Sequence, residues 1–105
     1  MKNMSREKKD LRVRALFAFT HNLEELLTEK GWEKLSFRKL ANVLNHSLRR
    51  NVFSGETIKN WRTGVSLPNY PSFLKLVEAL DCYEDDLLPE RYQEILQHYF
   101  NHTCD

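Results

Sequence analysis

The sequence predicts an all-α fold, a compact bundle of about five helices in a single domain (1–105). Three observations predict it. Apolar residues recur at three- and four-residue intervals along most of the chain. Serine, asparagine and glycine stand where those periodic stretches begin and end. Only three glycines and three prolines occur in 105 residues, so long helices are easy and many tight turns are not. No strand, internal repeat or low-complexity segment is visible.

The first helix is expected over 6–30. Leu16, Phe19, Leu23, Leu26 and Leu27 make one apolar face. Gly31 ends it, after Lys30 at the negative end of the helix dipole. Val13 and Phe17 lie off this stripe and are left to cover a second element or a partner. A second helix starts near Ser36, a good N-cap, and runs through Phe37, Leu40, Ala41 and Leu44. Its end is open, because 45–51 contains no breaker. A short third helix has Ser54 as N-cap, Glu56 in its first turn, Ile58 and Trp61 as its buried pair, and Gly64 as its stop. Too short to be stable alone, it must be held by packing.

Residues 67–71 read as a stiff connection, and a fourth helix is expected over 72–81, capped by Ser72 or Asn69. Residues 85–88 form a short helical turn. Pro89 suits the first position of an amphipathic C-terminal helix carrying Tyr92, Ile95, Leu96, Tyr99 and Phe100. Within the domain, 1–14 is a basic arm leading into the first helix, 15–88 the core, and 89–105 the C-terminal helix.

Composition narrows the function classes. The hydrophobic fraction of 41% and charged fraction of 30% describe a globular chain. No apolar run approaches the roughly 20 residues that span a bilayer, and no signal-peptide pattern is seen, so a cytoplasmic location is expected. Cys82 and Cys104 are read as free thiols, with Cys82 a small core residue beside Leu80. The net charge of +1 hides a division. Residues 1–14 carry +4, 15–35 carry −2, 36–68 carry +5 and 69–105 carry −6. A basic middle attracts phosphate over the screening length of about 10 Å; alone, such a charge run is as readily a solvated face.

A helix with a small residue at its crossing point (Ala41), followed by a capped helix anchored by Ile58 and Trp61 and polar elsewhere, is the plan of a helix-turn-helix. The ordered series is Leu35-Ser36-Phe37-Arg38-Lys39-Leu40-Ala41, then 54–64 (SGETIKNWRTG), Leu67-Pro68, 73–80 (FLKLVEAL) and Asp85-Asp86-Leu87-Leu88. It resembles the phage-repressor family, the Cro and lambda-repressor-like or Xre proteins. With the helix before it, the match covers about two-thirds of the chain. One departure stands out: twelve residues separate Ala41 from Ser54, where the family usually places about five. Loop insertions of this size are thermodynamically cheap.

The resemblance implies sequence-specific binding of double-stranded DNA as a transcriptional regulator, a repressor of a phage or mobile-element operon. The recognition helix 54–63 then lies in the major groove. By resemblance the base-facing positions are Gly55, Glu56, Lys59 and Asn60, and Gly55 has no side chain to read with. Asn60 can pair bidentately with adenine and Lys59 can donate to guanine. Glu56 either accepts from cytosine or strengthens the helix N-terminus. Ser36, Arg38, Lys39, Arg49, Arg50 and Thr57 are assigned to phosphate, and Arg62 to phosphate or a surface salt bridge. The basic arm either reaches DNA or stays solvated. The expected partner is an inverted-repeat operator bound by a homodimer, with Tyr92, Ile95, Leu96, Tyr99 and Phe100 as the candidate dimer interface or core.

No cofactor, catalytic site or metal site is expected. There is no phosphate loop, nucleophile elbow or paired-carboxylate site. His98, His102 and Cys104 resemble metal ligands only superficially, being too few for a site. The alternative function is an antitoxin or another protein-binding adaptor or inhibitor on the same fold.

Overall fold

The computed structural model describes the backbone of residues 2–103 and the side chains of 9–98. These residues form α1 (Lys2–Lys30), α2 (Phe37–Leu48), α3 (Gly55–Arg62), α4 (Tyr70–Leu80), α5 (Glu84–Leu87) and α6 (Glu90–Thr103), with no strand among them. None of these helices is long and apolar enough to cross a membrane. The fold is all-helical and compact, as expected.

A 29-residue α1 runs to the predicted stop. Gly31 adopts φ +75° there, and the N–H groups of Gly31 and Trp32 close onto the carbonyls of Thr28 and Leu27. Ala15 rather than Leu16 leads the buried stripe, which continues through Phe19, Leu23 and Leu27. The side chains of residues 9–14 are all exposed, so α1 enters the body of the protein only at Ala15. Val13 and Phe17 cover no second element; they remain exposed on α1.

Ser36 caps α2 as expected, its Oγ accepting from the Lys39 N–H at 3.2 Å. Leu40, Ala41 and Leu44 are buried. The open question of where this helix ends has a definite answer. Seven of the twelve residues between Ala41 and Ser54 prolong α2 to Leu48, and the remaining five, 49–53, lead back to α3. Arg49 makes the stop, in the left-handed region at φ +60°, with its N–H on the carbonyls of Asn45 and His46.

Asn45 holds the returning segment. It extends the buried face one helical turn beyond Ala41 and is itself 8% exposed. Its Oδ1 accepts the Val52 and Phe53 N–H groups at 2.9 and 2.8 Å, and its Nδ2 donates to the Phe53 carbonyl at 2.8 Å. A buried backbone segment that leaves regular structure must find such partners. Phe53 is thereby driven into the core, edge-on to Trp61 at 5.4 Å. Trp61 in turn meets Phe19 edge-on at 6.2 Å, tying α1, α3 and the returning segment together.

Some helix starts differ from expectation: α1 begins at Lys2, four residues before the expected 6, and those of α4 and α6 also shift. The fourth helix starts two residues early, at Tyr70, because Asn69 is the cap, accepting the Ser72 N–H at 2.9 Å. Pro71 then sits in the first turn, where its missing N–H costs nothing, and not in a connecting loop. Asp81 ends α4 in the left-handed region at φ +52°. The last helix starts at Glu90, so Pro89 stands just before it, its carbonyl accepting from Tyr92 and Gln93.

Tyr92 and Leu96 are buried in the molecule's own core and Ile95 packs against it. Of the two alternatives for these three, dimer interface or core, they take the core. Their apolar area is already used within the chain, where α6 lies against α1 and α4. The Tyr99, Phe100, His102 and Cys104 side chains lie outside the described residues, as do those of Lys2, Arg6 and Lys8 in the basic arm. Cys82 is half-buried against the core, and burial, followed by the nearby Asp86 carboxylate, pushes its thiol up to about 11. At neutral pH it is protonated and a poor nucleophile.

Candidate nucleic-acid interface

The candidate surface begins with how α3 is held. Ile58 and Trp61 are its buried pair, as the spacing predicts. Ser54 caps it: the Oγ accepts the Thr57 N–H at 3.1 Å and lies 3.0 Å from the Thr57 hydroxyl. With Ile58 and Trp61 facing inward, the outward face is left to Glu56, Lys59 and Asn60. Glu56 and Lys59 are exposed and Asn60 is half-exposed. The Asn60 carbonyl accepts from Val65 and Ser66, which fixes the backbone at that point, while its side-chain amide makes no hydrogen bond among the described residues.

Gly55 explains how α3 meets α2. A Cβ on Gly55 would lie 3.3 Å from the Arg38 Cα and 3.4 Å from its backbone nitrogen. The first turn of α3 therefore touches the first turn of α2, and two helix N-termini stand side by side. Each presents orphan N–H groups and the positive end of a dipole, a setting that favours an anion. Arg38 and Lys39 are exposed at this junction, with no ion pair between them and a described carboxylate. Ser36 uses an oxygen lone pair for the cap, so its O–H is still available as a donor. One face thus combines Ser36, Arg38, Lys39, Glu56, Thr57, Lys59 and Asn60.

Arg62 does not join this face: of the two roles expected for it, phosphate contact or surface salt bridge, it makes a salt bridge, and a largely buried one. Its guanidinium points inward and its side chain is only 10% exposed. Nε and Nη2 grip the two Glu24 carboxylate oxygens at 2.8 and 2.9 Å. Nη2 also donates to the Glu33 carbonyl at 2.8 Å and Nη1 to the Leu35 carbonyl at 3.3 Å. The guanidinium lies 5.9 Å from the Phe37 ring centroid. Arg62 therefore clamps α3 to α1 and to the 31–35 turn, with no donor fork left over for an external anion.

Arg49 and Arg50 are exposed but stand elsewhere, at the opposite end of α2. With His46, Asn42, Asn45 and Asn51 they line an open groove of about 390 Å³. The residues that sequence reasoning missed are those that hold the framework: Asn45, and Gln93, whose amide bridges the Asp85 carboxylate and the Leu88 carbonyl. The signal for Asn45 was present, a polar residue continuing the Leu40, Ala41, Leu44 stripe. No family model, curated protein or solved structure matches the chain.

Proposed function

We propose that this protein is a sequence-specific double-stranded DNA-binding regulator, in which α2 and α3 act as a helix-turn-helix with α3 in the major groove. The observation that carries the reading is the contact of the α2 and α3 N-termini at Gly55 and Arg38, beside an outward α3 face of Glu56, Lys59 and Asn60. Helix N-termini and the exposed cations of α2 suit backbone phosphate, which positions a protein without reading sequence. The adjoining α3 face carries the side-chain types that read base edges: an amide for adenine, an ammonium for guanine and a carboxylate for cytosine. Repression of a phage or mobile-element operon is the regulatory role this reading favours.

The test is selection of the purified protein against a random duplex library at moderate salt, followed by sequencing of the bound DNA. An enriched motif is expected, as an inverted repeat if two copies bind together. Absence of enrichment, with only weak salt-sensitive binding, would overturn the reading in favour of a protein partner.

A further inference from the structure

The end of α2 and its return segment build a second charged surface, around the Arg49 and Arg50 that the family resemblance assigns to phosphate, apart from the α2–α3 junction. From Lys34 to Gly55 the sequence contains no acidic residue. At the C-terminal end of α2, the groove of about 390 Å³ is lined entirely by Asn42, Asn45, His46, Arg49, Arg50 and Asn51, with no carboxylate among them. No described hydrogen bond or ion pair engages the Arg49 or Arg50 side chain. From Arg38 to Arg49, α2 rises by about 16 Å at about 1.5 Å per residue, so this groove is separate from the junction of the two N-termini.

Two features show that the groove is built rather than incidental. Arg49 occupies a left-handed position, φ +60°, where glycine would cost less. The segment beyond it is fixed by the three hydrogen bonds of the buried Asn45, so the arginines project from a set backbone. The negative end of the α2 dipole faces this way. Part of that charge is already met, because the Asn45 and His46 carbonyls accept from the N–H groups of Arg49 and Arg50.

We infer that this groove is a phosphate-recognition site, with the Arg49 and Arg50 guanidinium groups as charge-bearing donors and the Asn42, His46 and Asn51 side chains supplying further N–H donors. Arginine forks match the tetrahedral, multiply charged oxyanion. The phosphate is either a backbone phosphate of a bound duplex or that of a free phosphorylated metabolite, and the two sources share this chemistry.

The experiment uses the full chain and the double variant Arg49→Gly, Arg50→Gln, with Arg50→Gln alone as a second variant. Glycine suits the left-handed position and Arg50 is exposed, so the fold is expected to persist, as a thermal melt verifies. In one arm, inorganic pyrophosphate is titrated while backbone amide signals are followed by NMR. Saturable shifts at 46–51, at least five-fold weaker in affinity in the double variant, are the expected result. In the other arm, the salt dependence of binding to a random-sequence duplex is measured. A slope reduced by about 2 in the double variant, near 0.9 per phosphate contact, assigns the site to the DNA backbone. An unchanged slope with variant-sensitive pyrophosphate binding assigns it to a free phosphate. Insensitivity of both arms to the substitutions overturns the inference. Failure of the wild-type chain to bind any duplex would instead sink the DNA reading, leaving the pyrophosphate arm to decide this site.

Discussion

At Arg62, Nε, Nη1 and Nη2 are already committed to Glu24, Glu33 and Leu35. Free energy lost on truncating this side chain is therefore folding free energy. Arg62→Ala is expected to destabilise the protein by about 2–3 kcal/mol, below the largest buried-pair values because Glu24 is 40% exposed. The same variant should leave the salt dependence of DNA binding unchanged. A melt at the wild-type temperature together with a shallower salt slope would return Arg62 to the phosphate contacts. Two residues earlier on the same helix, Asn60 carries no such burden. Asn60→Ala is expected to melt like the wild type yet lose about 1–3 kcal/mol on the selected operator. Equal losses on operator and random DNA would deny it a base-reading role. The two substitutions separate what holds the face from what the face does.

Among the elements, the end of α1, both ends of α3 and the N-terminus of α2 were legible because each of these boundaries has a local cause: Gly31, Ser54, Gly64 and Ser36. The end of α2 was not legible, since its stop is an arginine in a glycine-like conformation and its tether is a long-range side-chain bond. Neither follows from periodicity. The start of α4 was misplaced because Tyr70-Pro71 has the look of a loop until Asn69 is known to cap it. The polar face of α3 was legible from Ile58 and Trp61 alone. The inward turn of Arg62 was not, because its acceptors come from residues 27 to 38 positions away. Asn45→Ala tests the tether. Leaving the Phe53 N–H and C=O without their partner is expected to cost about 1–3 kcal/mol. Amide exchange at Val52 and Phe53 should accelerate more than exchange in α3. Unchanged exchange at those two amides would mean that the returning segment is held by Phe53 packing alone.

For the molecule as a whole, Tyr92, Ile95 and Leu96 of α6 are spent on the core, so among the described residues the exposed apolar side chains lie on other elements. The apolar area left outside the core includes Val13 and Phe17, one turn apart on the same side of α1, with Phe17 73% exposed. If two copies occupy an inverted repeat, this face is where they are expected to meet. Phe17→Glu should then abolish a dimer in sedimentation without lowering the melting temperature. A dimer that survives the substitution would exclude this face. The prolonged α2 and its return also have a consequence for how the protein can vary. A helix advances about 1.5 Å per residue and an extended chain about 3.3 Å. The outward and return paths therefore cancel when roughly two helical residues are added or removed for each extended one. The excursion is a closed detour whose length can drift while Arg38 and Gly55 stay in contact, so the tip carrying Arg49 and Arg50 can be remodelled, or grafted onto another bundle, without disturbing the face formed by α3.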